Sequence, residues 1–213
     1  MIKQIRANYD AKGIERDVQA YWDETDAYHK TKEHRAEGER FYFVDGPPYT
    51  TGAIHLGTAM NKTVKDILLR YWRMCGYNVR DQPGFDMHGL PIEVKVEKKH
   101  GITKLDTPRQ EYRRLCEEYA NGFIEEMTHH FEILGESMDP SIYYQTDAPY
   151  YRRITQLSFV ELFNRGLVYK ANFPVNWCPG CMTALADAEV EYRDNVNKLN
   201  YIKFQIAVSY THL

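Results

Sequence analysis

Residues 45–58 combine small, polar and histidine side chains where a short apolar run, 41–44, gives way to a helical pattern. The first N–H groups of a helix have no backbone partner and carry the positive end of the helix dipole, which suits an anion such as a nucleotide phosphate. His55 can donate hydrogen bonds to phosphate oxygens, and Gly57 lets a flat ring lie close to the backbone. An ordinary strand-to-helix turn, with the histidine as a cap, is the alternative interpretation.

Cysteines at 178 and 181 form a second candidate site. The Cys178 and Cys181 pair encloses a proline and a glycine, and a Cys-x-x-Cys turn of this kind is half of a zinc knuckle, because tetrahedral Zn²⁺ takes four ligands. A redox pair is the competing interpretation, although the strand and helix that normally flank such a pair are only weakly indicated. Cys75 and Cys116 are more simply explained as small buried hydrophobic residues.

The elements that must position the first site follow from hydropathy patterns. The run 41–44 predicts a buried strand, which Gly46 and Pro47 terminate. A helix follows and ends near Gly76, and residues 77–79 predict a second strand. Strand, loop, helix and strand in this order are typical of a parallel βαβ unit. The helix should bury its apolar stripe: Met60, Val64, Ile67, Leu68 and Tyr71.

Further helices are predicted on both sides of this unit. A polar helix precedes residue 40, and others cover about 91–99, 107–134 and 151–164. The first of these helices should pack through Ile14, Val18, Tyr21 and Trp22, and the last through Ile154, Leu157, Val160 and Phe163. Weak strand patterns occupy residues 167–169, 173–175 and 198–206.

Composition limits the classes of function. The 213 residues are 43% hydrophobic and 27% charged with a formal net charge of −3, which excludes a chain that is basic throughout but not a local basic face that binds nucleic acid. No apolar run approaches the roughly 20 residues that cross a bilayer, so we expect no membrane partner. The amino terminus lacks the pattern of a signal peptide, and four cysteines then indicate a reducing compartment, the cytoplasm.

The residues His55-Leu56-Gly57-Thr58 resemble the HIGH signature of the class I aminoacyl-tRNA synthetases, with Thr58 where a second histidine is usual. The neighbouring segments 45–49 and 65–71 resemble the same family. Residues 84–93 look like the isoleucyl version of its next characteristic block, of the archaeal type. Residues 142–192 fit this type less cleanly and also suit valyl and leucyl relatives.

The resemblance implies a Rossmann-type α/β fold that condenses isoleucine with ATP and Mg²⁺ and passes the aminoacyl group to tRNA(Ile), as a monomer. It implies that Asp86 pairs with the α-ammonium of the amino acid and that Gly46 and Pro47 line the amino-acid pocket. Residues 55–58 would bind ATP, with His55, Gly57 and Thr58 in the catalytic role. Catalysis would consist mainly of positioning and charge stabilisation. A valyl-tRNA synthetase, or a non-catalytic module that binds nucleotide or tRNA, is the alternative.

The same resemblance predicts the domain organisation. Residues 1–40 form a helical extension, 41–175 the first half of a Rossmann-type catalytic domain, and 176–207 the knuckle-like segment and the start of an editing insertion. Residues 208–213 look non-native and are left out of the fold prediction. We expect the gene to continue into a mostly β editing domain and a second Cys-x-x-Cys pair, which would complete a zinc site. The chain alone is expected to be inactive.

Overall fold

The structure, a computed structural model, describes residues 10–204. Backbone contacts divide the chain into two compact units, Met1–Asn164 and Arg165–Leu213. No helix in the described part of the chain is long and apolar enough to cross a membrane.

Helices dominate the first unit, and short strands lie between them. The helices are α1 (Ala11–Thr25), α2 (Ala27–His34), α3 (Leu56–Met74), α4 (Leu90–His100), α5 (Arg109–Asn121), α6 (Ile124–Ile133) and α7 (Pro149–Asn164). The strands are β1 (Arg40–Tyr42), β2 (Asn78–Arg80), β3 (Gly84–Phe85) and β4 (Tyr144–Gln145), and a 3₁₀ turn covers Pro140–Ile142.

The strands of this unit form two parallel pairs. β1 pairs with β2, with Phe41 opposite Val79, and helix α3 connects them. β3 pairs with β4, with Gly84 opposite Tyr144 and Phe85 opposite Gln145. A helix that connects two parallel strands is the βαβ crossover, so the predicted α/β half-domain is confirmed.

Two apolar clusters hold these elements together. The smaller packs Leu69 of α3 and Val79 of β2 against Met138, with both Leu69 and Val79 almost completely buried. The larger joins β3 to α4, α5 and α6 and consists of Phe85, Met87, Ile92, Val96, Ala120, Ile124, Met127 and Phe131. Because β3 contributes to the larger cluster, the chain that follows Phe85 is anchored on one side by a packed core.

The prediction of which face of α3 is buried was wrong. Met60, Ile67 and the rest of the predicted stripe are exposed, 69% for Met60 and 60% for Ile67. The buried residues of α3 are Lys62, Leu69 and Arg73. Lysine and arginine are almost never fully buried unless they are paired, and both residues here are paired with buried carboxylates. Charge pairing therefore orients the helix, and hydropathy alone could not predict its buried side.

A buried ion cluster around Asp81 attaches the amino-terminal helices to this unit. Arg73 of α3 forms an ion pair with Asp81, Lys32 of α2 approaches it at 2.8 Å, and the Tyr28 hydroxyl donates to it at 2.9 Å. Burial, followed by the charge of Asp81, raises the pKa of Tyr28 above its usual range. Arg73 also donates to the backbone oxygen of Ser137 at 2.7 Å. Helix α2, which lies within the helical extension predicted over residues 1–40, is thereby tied to α3 and β2.

Two other predictions for this unit need correction. The single predicted helix over 107–134 is two helices, because α5 ends at Asn121 and Gly122, a poor helix former, lies in the turn before α6. The predicted inner stripe of α7 is exposed, with Ile154 61% and Phe163 59% accessible. Its spacing is helical, but no described element of this unit covers it.

The described part of the second unit, residues 165–204, contains one hairpin, β5 (Trp177–Cys178) and β6 (Thr183–Ala184), and a 3₁₀ turn at Asp187–Glu189. The predicted strands at 167–169, 173–175 and 198–204 are wrong, since these residues take no part in a described sheet. Short β-branched or aromatic runs become strands only when another strand pairs with them. Residues 205–206 of the last prediction, and the tail 208–213, lie outside the described residues.

Candidate active site

His55 caps the amino terminus of α3. Its Nδ1 accepts the backbone N–H of Thr58 at 3.1 Å, and its Nε2 lies 3.2 Å from the Thr58 hydroxyl oxygen. Because a backbone N–H can only donate, Nδ1 must present a lone pair, and a neutral ring then carries its proton on Nε2. The single N–H of the capping ring is thus directed at the Thr58 hydroxyl, and a phosphate oxygen would have to replace that hydroxyl to accept it. His55, Leu56 and Gly57 are exposed beside this helix end.

The loop that contains Gly46 and Pro47 runs beside Asp86. Asp86 donates its backbone N–H to the Pro48 oxygen at 2.8 Å, and Thr50 donates its own to the Asp86 oxygen at 3.2 Å. Gly46 and Pro47 therefore lie directly before a segment that continues the parallel pairing of β3. The structure brings three of the predicted amino-acid-binding residues into one region, at the carboxyl end of a parallel strand, where ligands of α/β sheets usually bind.

Thr146 orients the Asp86 carboxylate. Its hydroxyl accepts the Met87 backbone N–H at 2.9 Å and donates to Oδ1 of Asp86 at 3.1 Å. The His88 ring is 3.7 Å from the same oxygen, and the Asp86 side chain is 25% exposed. No hydrogen bond from residues 10–204 reaches Oδ2 of Asp86, so this oxygen can accept one from a ligand. No sequence pattern indicated Thr146, which follows a strand that was not predicted.

A glycine shapes the turn between Asp86 and α4. Gly89 has a φ of 119°, a backbone conformation that residues with a Cβ rarely adopt. A Cβ added there would stand 3.6 Å from the Tyr49 ring and 3.7 Å from Pro91. The Tyr49 ring therefore lies against this turn, and the loop before α3 contacts the start of α4.

A buried charge cluster lies behind the candidate site, and the sequence did not predict it. Asp45, 1% exposed, holds the ammonium groups of Lys62 and Lys65 at 2.6 Å each. Glu136 approaches Lys62 at 4.0 Å, and burial raises the pKa of Glu136 to about 7, although the charge of Lys62 opposes the shift. The signal that could have revealed the cluster is the lysine pair at 62 and 65, one helical turn apart.

The two cysteines of the second unit lie at the turn of its hairpin. The backbone N–H of Cys181 points at Sγ of Cys178 at 3.3 Å, and this hydrogen bond lowers the pKa of the Cys178 thiol. A thiolate is the form that binds metal. No group of three or more His, Cys, Asp or Glu residues able to hold a metal ion occurs in the described residues. These two thiols therefore suit zinc chemically but provide half of its ligands.

Curated proteins similar to this chain are archaeal synthetases. The isoleucine–tRNA ligase of Methanoregula boonei is 48% identical over 96% of the chain, and that of Methanosarcina barkeri is 45% identical over 97%. The valine–tRNA ligase of Methanocaldococcus jannaschii is 47% identical over 94%. The chain spans about a fifth of the length of these relatives, 19%, 20% and 23% respectively.

A solved structure also resembles the chain. A crystal structure of the ternary complex of Agrobacterium radiobacter K84 agnB2 LeuRS, tRNA and LeuAMS matches with a TM-score of 0.62 and 27% identity, over 85% of this chain and 21% of that one. The family described as tRNA synthetases class I (I, L, M and V) matches residues 17–206, far more than half of the chain. The chain belongs to the class I aminoacyl-tRNA synthetases.

Proposed function

We propose that this chain is part of an isoleucine–tRNA ligase, which activates isoleucine with ATP and transfers it to tRNA(Ile). The names of the archaeal isoleucine–tRNA ligases that match 96–97% of the chain support this substrate. The valine–tRNA ligase at 47% identity keeps valine as the second candidate. The two amino acids differ by one methylene, a difference that a hydrophobic pocket distinguishes poorly.

The observation that carries the proposal is the Asp86 carboxylate, held by Thr146 at the ends of β3 and β4. An α-amino acid presents an ammonium group, and a fixed, partly exposed carboxylate is its natural partner. Gly46 and Pro47 would form the adjoining wall of the amino-acid pocket, because the backbone of Pro48 and Thr50, which follow them, is hydrogen-bonded to the backbone of Asp86.

ATP would bind at the amino terminus of α3. The helix is 19 residues long, so its N-terminal end carries a full dipole, and His55 adds an N–H donor beside it. Gly57 and Leu56 would lie under the nucleotide, and Thr58 would fix the His55 ring. Class I synthetases use ATP with Mg²⁺, and the metal would neutralise phosphate charge. These residues bind and orient the reactants, so that positioning and charge stabilisation provide the catalysis.

Several further expectations form part of the same proposal. Cys178 and Cys181 would provide two ligands of a Zn²⁺ site whose other ligands come from outside the described residues. The proposal also includes hydrolytic editing of valine, a monomeric state, a cytoplasmic location and the domain boundaries predicted from the sequence. The 213-residue chain by itself should lack activity, because it spans about a fifth of the length of the relatives.

ATP–pyrophosphate exchange on the gene product that carries this chain tests the proposal. We expect exchange with isoleucine to exceed exchange with valine in kcat/KM by about 100-fold, the discrimination available from one methylene in a tight pocket. A preference for valine would transfer the assignment to the valyl enzymes. Tight binding of nucleotide or tRNA without exchange for any amino acid would favour a non-catalytic binding module.

A further inference from the structure

The carboxylate of Asp45 joins three elements at one buried point. Its Oδ2 accepts the Lys62 ammonium at 2.6 Å and lies 3.4 Å from the backbone N–H of Gly84, and its Oδ1 accepts Lys65 at 2.6 Å. Lys62 and Lys65 belong to α3, Gly84 begins β3, and Asp45 itself ends the segment after β1. All three contacts therefore depend on a single side chain.

The main chain around Asp45 is held in the same way. Lys65 also donates to the Gly46 oxygen at 3.1 Å, and the Tyr144 hydroxyl donates to the Asp45 oxygen at 2.6 Å. The Tyr144 ring reaches this position because residue 84 is glycine, since a Cβ there would overlap the ring. Strand β4, which leads to Thr146, is thereby fixed to the same point.

The cluster is closed to solvent on the Lys62 side. The Lys62 side chain is 1% exposed, with Asp45 on one side, Glu136 at 4.0 Å and the centre of the Phe131 ring at 4.5 Å. A buried ion pair is rarely more stabilising than apolar residues of the same volume, so stability alone does not explain it. Its demonstrable effect is geometric, because the pair is satisfied at one arrangement of β1, α3 and β3 only.

The elements that meet at Asp45 are those that carry the candidate site. Gly46 and Pro47 follow it directly, α3 begins at His55–Leu56, and β3 leads within two residues to Asp86. β3 and β4 are only two residues long, so few ladder hydrogen bonds fix their position. A second constraint on this geometry is therefore needed, and the ion cluster provides it.

We propose that Asp45 and Lys62 are positioning residues that set the separation between the amino-acid site at Asp86 and the nucleotide site at the start of α3. The inference rests on the proposed function. Both side chains are buried, at 1% exposed each, so each contacts other parts of the chain. Each acts through the loop, helix and strand that it connects.

The sharpest readout compares ligands that occupy one site with a ligand that spans both. Isoleucine and ATP each need one site, whereas a non-hydrolysable isoleucyl-adenylate analogue needs both at the correct separation. In calorimetric titrations of the gene product that carries this chain, Asp45→Asn should weaken the analogue about 100-fold, the effect of a displacement near 1 Å. Isoleucine and ATP alone should change by less than about threefold, because each site remains intact.

Asp81→Asn is the matched control. Asp81 is as buried as Asp45 and pairs with another cation of α3, Arg73, near the opposite end of that helix. It should lower the unfolding temperature but leave the analogue-to-isoleucine affinity ratio unchanged. The double variant Asp45→Asn/Lys62→Met removes the fully buried unpaired charge and leaves Lys65, whose side chain is 16% exposed, so the unfolding temperature should recover in part while the affinity for the analogue does not.

Equal losses for all three ligands in Asp45→Asn, or a double variant that recovers stability and analogue binding together, would overturn the positioning role. So would an Asp81→Asn protein with the same altered ratio. If the parent binds a valyl analogue instead, the amino-acid assignment fails and the same ratio, measured with valine, decides the positioning role. A parent that binds neither analogue overturns the proposed function and this inference together.

Discussion

The Thr146 hydroxyl donates a 3.1 Å hydrogen bond to Oδ1 of Asp86 while it accepts the Met87 backbone N–H at 2.9 Å. Thr146 follows β4 and Asp86 follows β3, so the bond crosses between adjacent parallel strands where both end. A hydroxyl that accepts from the backbone has its proton free for the carboxylate. The carboxylate is thus held in place by one oxygen while the other remains open.

Replacing Asp86 by alanine should abolish isoleucine binding and spare ATP binding. Removing one partner of a buried, charged pair typically costs about 3–5 kcal/mol, more than a hundredfold in affinity. The KM values for isoleucine and ATP in pyrophosphate exchange provide the measurement. Asp147→Asn, at a half-buried neighbouring aspartate, is the matched control. An isoleucine KM within about twofold of the parent value would remove Asp86 from the site.

Thr146→Val should raise the isoleucine KM by about tenfold, because a lost hydrogen bond to a charged group is worth about 1.5 kcal/mol. Thr146→Ser keeps the hydroxyl and should stay close to the parent. The serine variant keeps the hydroxyl that the valine variant lacks. Similar isoleucine KM values for both would show that the Thr146 hydroxyl does not orient Asp86.

His55→Asn should separate the two roles of His55. Asparagine is a good N-cap, so the free energy of unfolding should change by less than about 0.5 kcal/mol. Loss of the ring N–H should lower kcat for exchange about 100-fold, as removal of one charge-stabilising donor usually does. His55→Ala should lose the cap as well, at about 1 kcal/mol of stability. Full exchange activity in His55→Asn would leave His55 with the capping role alone.

Glu136 should make the chain less stable as the pH rises. A carboxyl whose pKa is higher in the folded state binds its proton more tightly there than in the unfolded state. The free energy of unfolding therefore falls as the pH rises above the pKa of the unfolded state. With the pKa raised to about 7 by burial, the loss falls between about pH 4.5 and 7. It amounts to no more than about 3 kcal/mol.

Urea unfolding of the chain at pH 5 and pH 8 measures this effect. Glu136→Gln should be more stable than the parent at pH 8 and similar to it at pH 5, because an amide does not ionise. Glu132→Gln, at an exposed position of α6, is the control and should leave the difference between the two pH values unchanged. If the parent became more stable relative to Glu136→Gln between pH 5 and pH 8, the raised pKa of Glu136 would be contradicted.

Two adjacent leucines of α3 test which side of that helix is inside. Leu69 is 0% exposed and Leu68 is 45% exposed. Leu69→Ala should cost about 2–5 kcal/mol, the usual effect of a cavity in a packed core. Leu68→Ala should cost less than about 1 kcal/mol. Chemical denaturation of the chain gives both values, and the reverse order would restore the face predicted from hydropathy.

Sequence reasoning succeeded where a local pattern suffices. It predicted that β1, α3 and β2 form a parallel unit, because the strand patterns and the turn residues that stop them lie within a few positions of one another. It reached Asp86 through the family resemblance, since β3, which Asp86 follows, was not predicted. The cap at His55 was recognised as an alternative from its position alone.

It failed where the answer depends on distant partners. Lys62 is buried because Asp45, 17 residues earlier, meets it, and Arg73 because Asp81 meets it after the chain has turned back. No hydropathy period carries this information, since both cations look like surface residues. Thr146 was missed for the same reason, as its role depends on a strand pairing 60 residues away from Asp86.

Helix α3 is pinned at two points along its axis. Lys62 meets Asp45 after β1, and Arg73 meets Asp81 after β2, eleven residues or about 16 Å further along the helix. A slide of one turn, or a rotation about the axis, would break both pairs. During a catalytic cycle α3 should therefore keep its position and its rotation about its own axis. Any opening and closing over the substrates should come from residues 51–54, which lie beyond the hydrogen bond between Thr50 and Asp86. Their backbone amides should exchange with solvent faster than those of the helix.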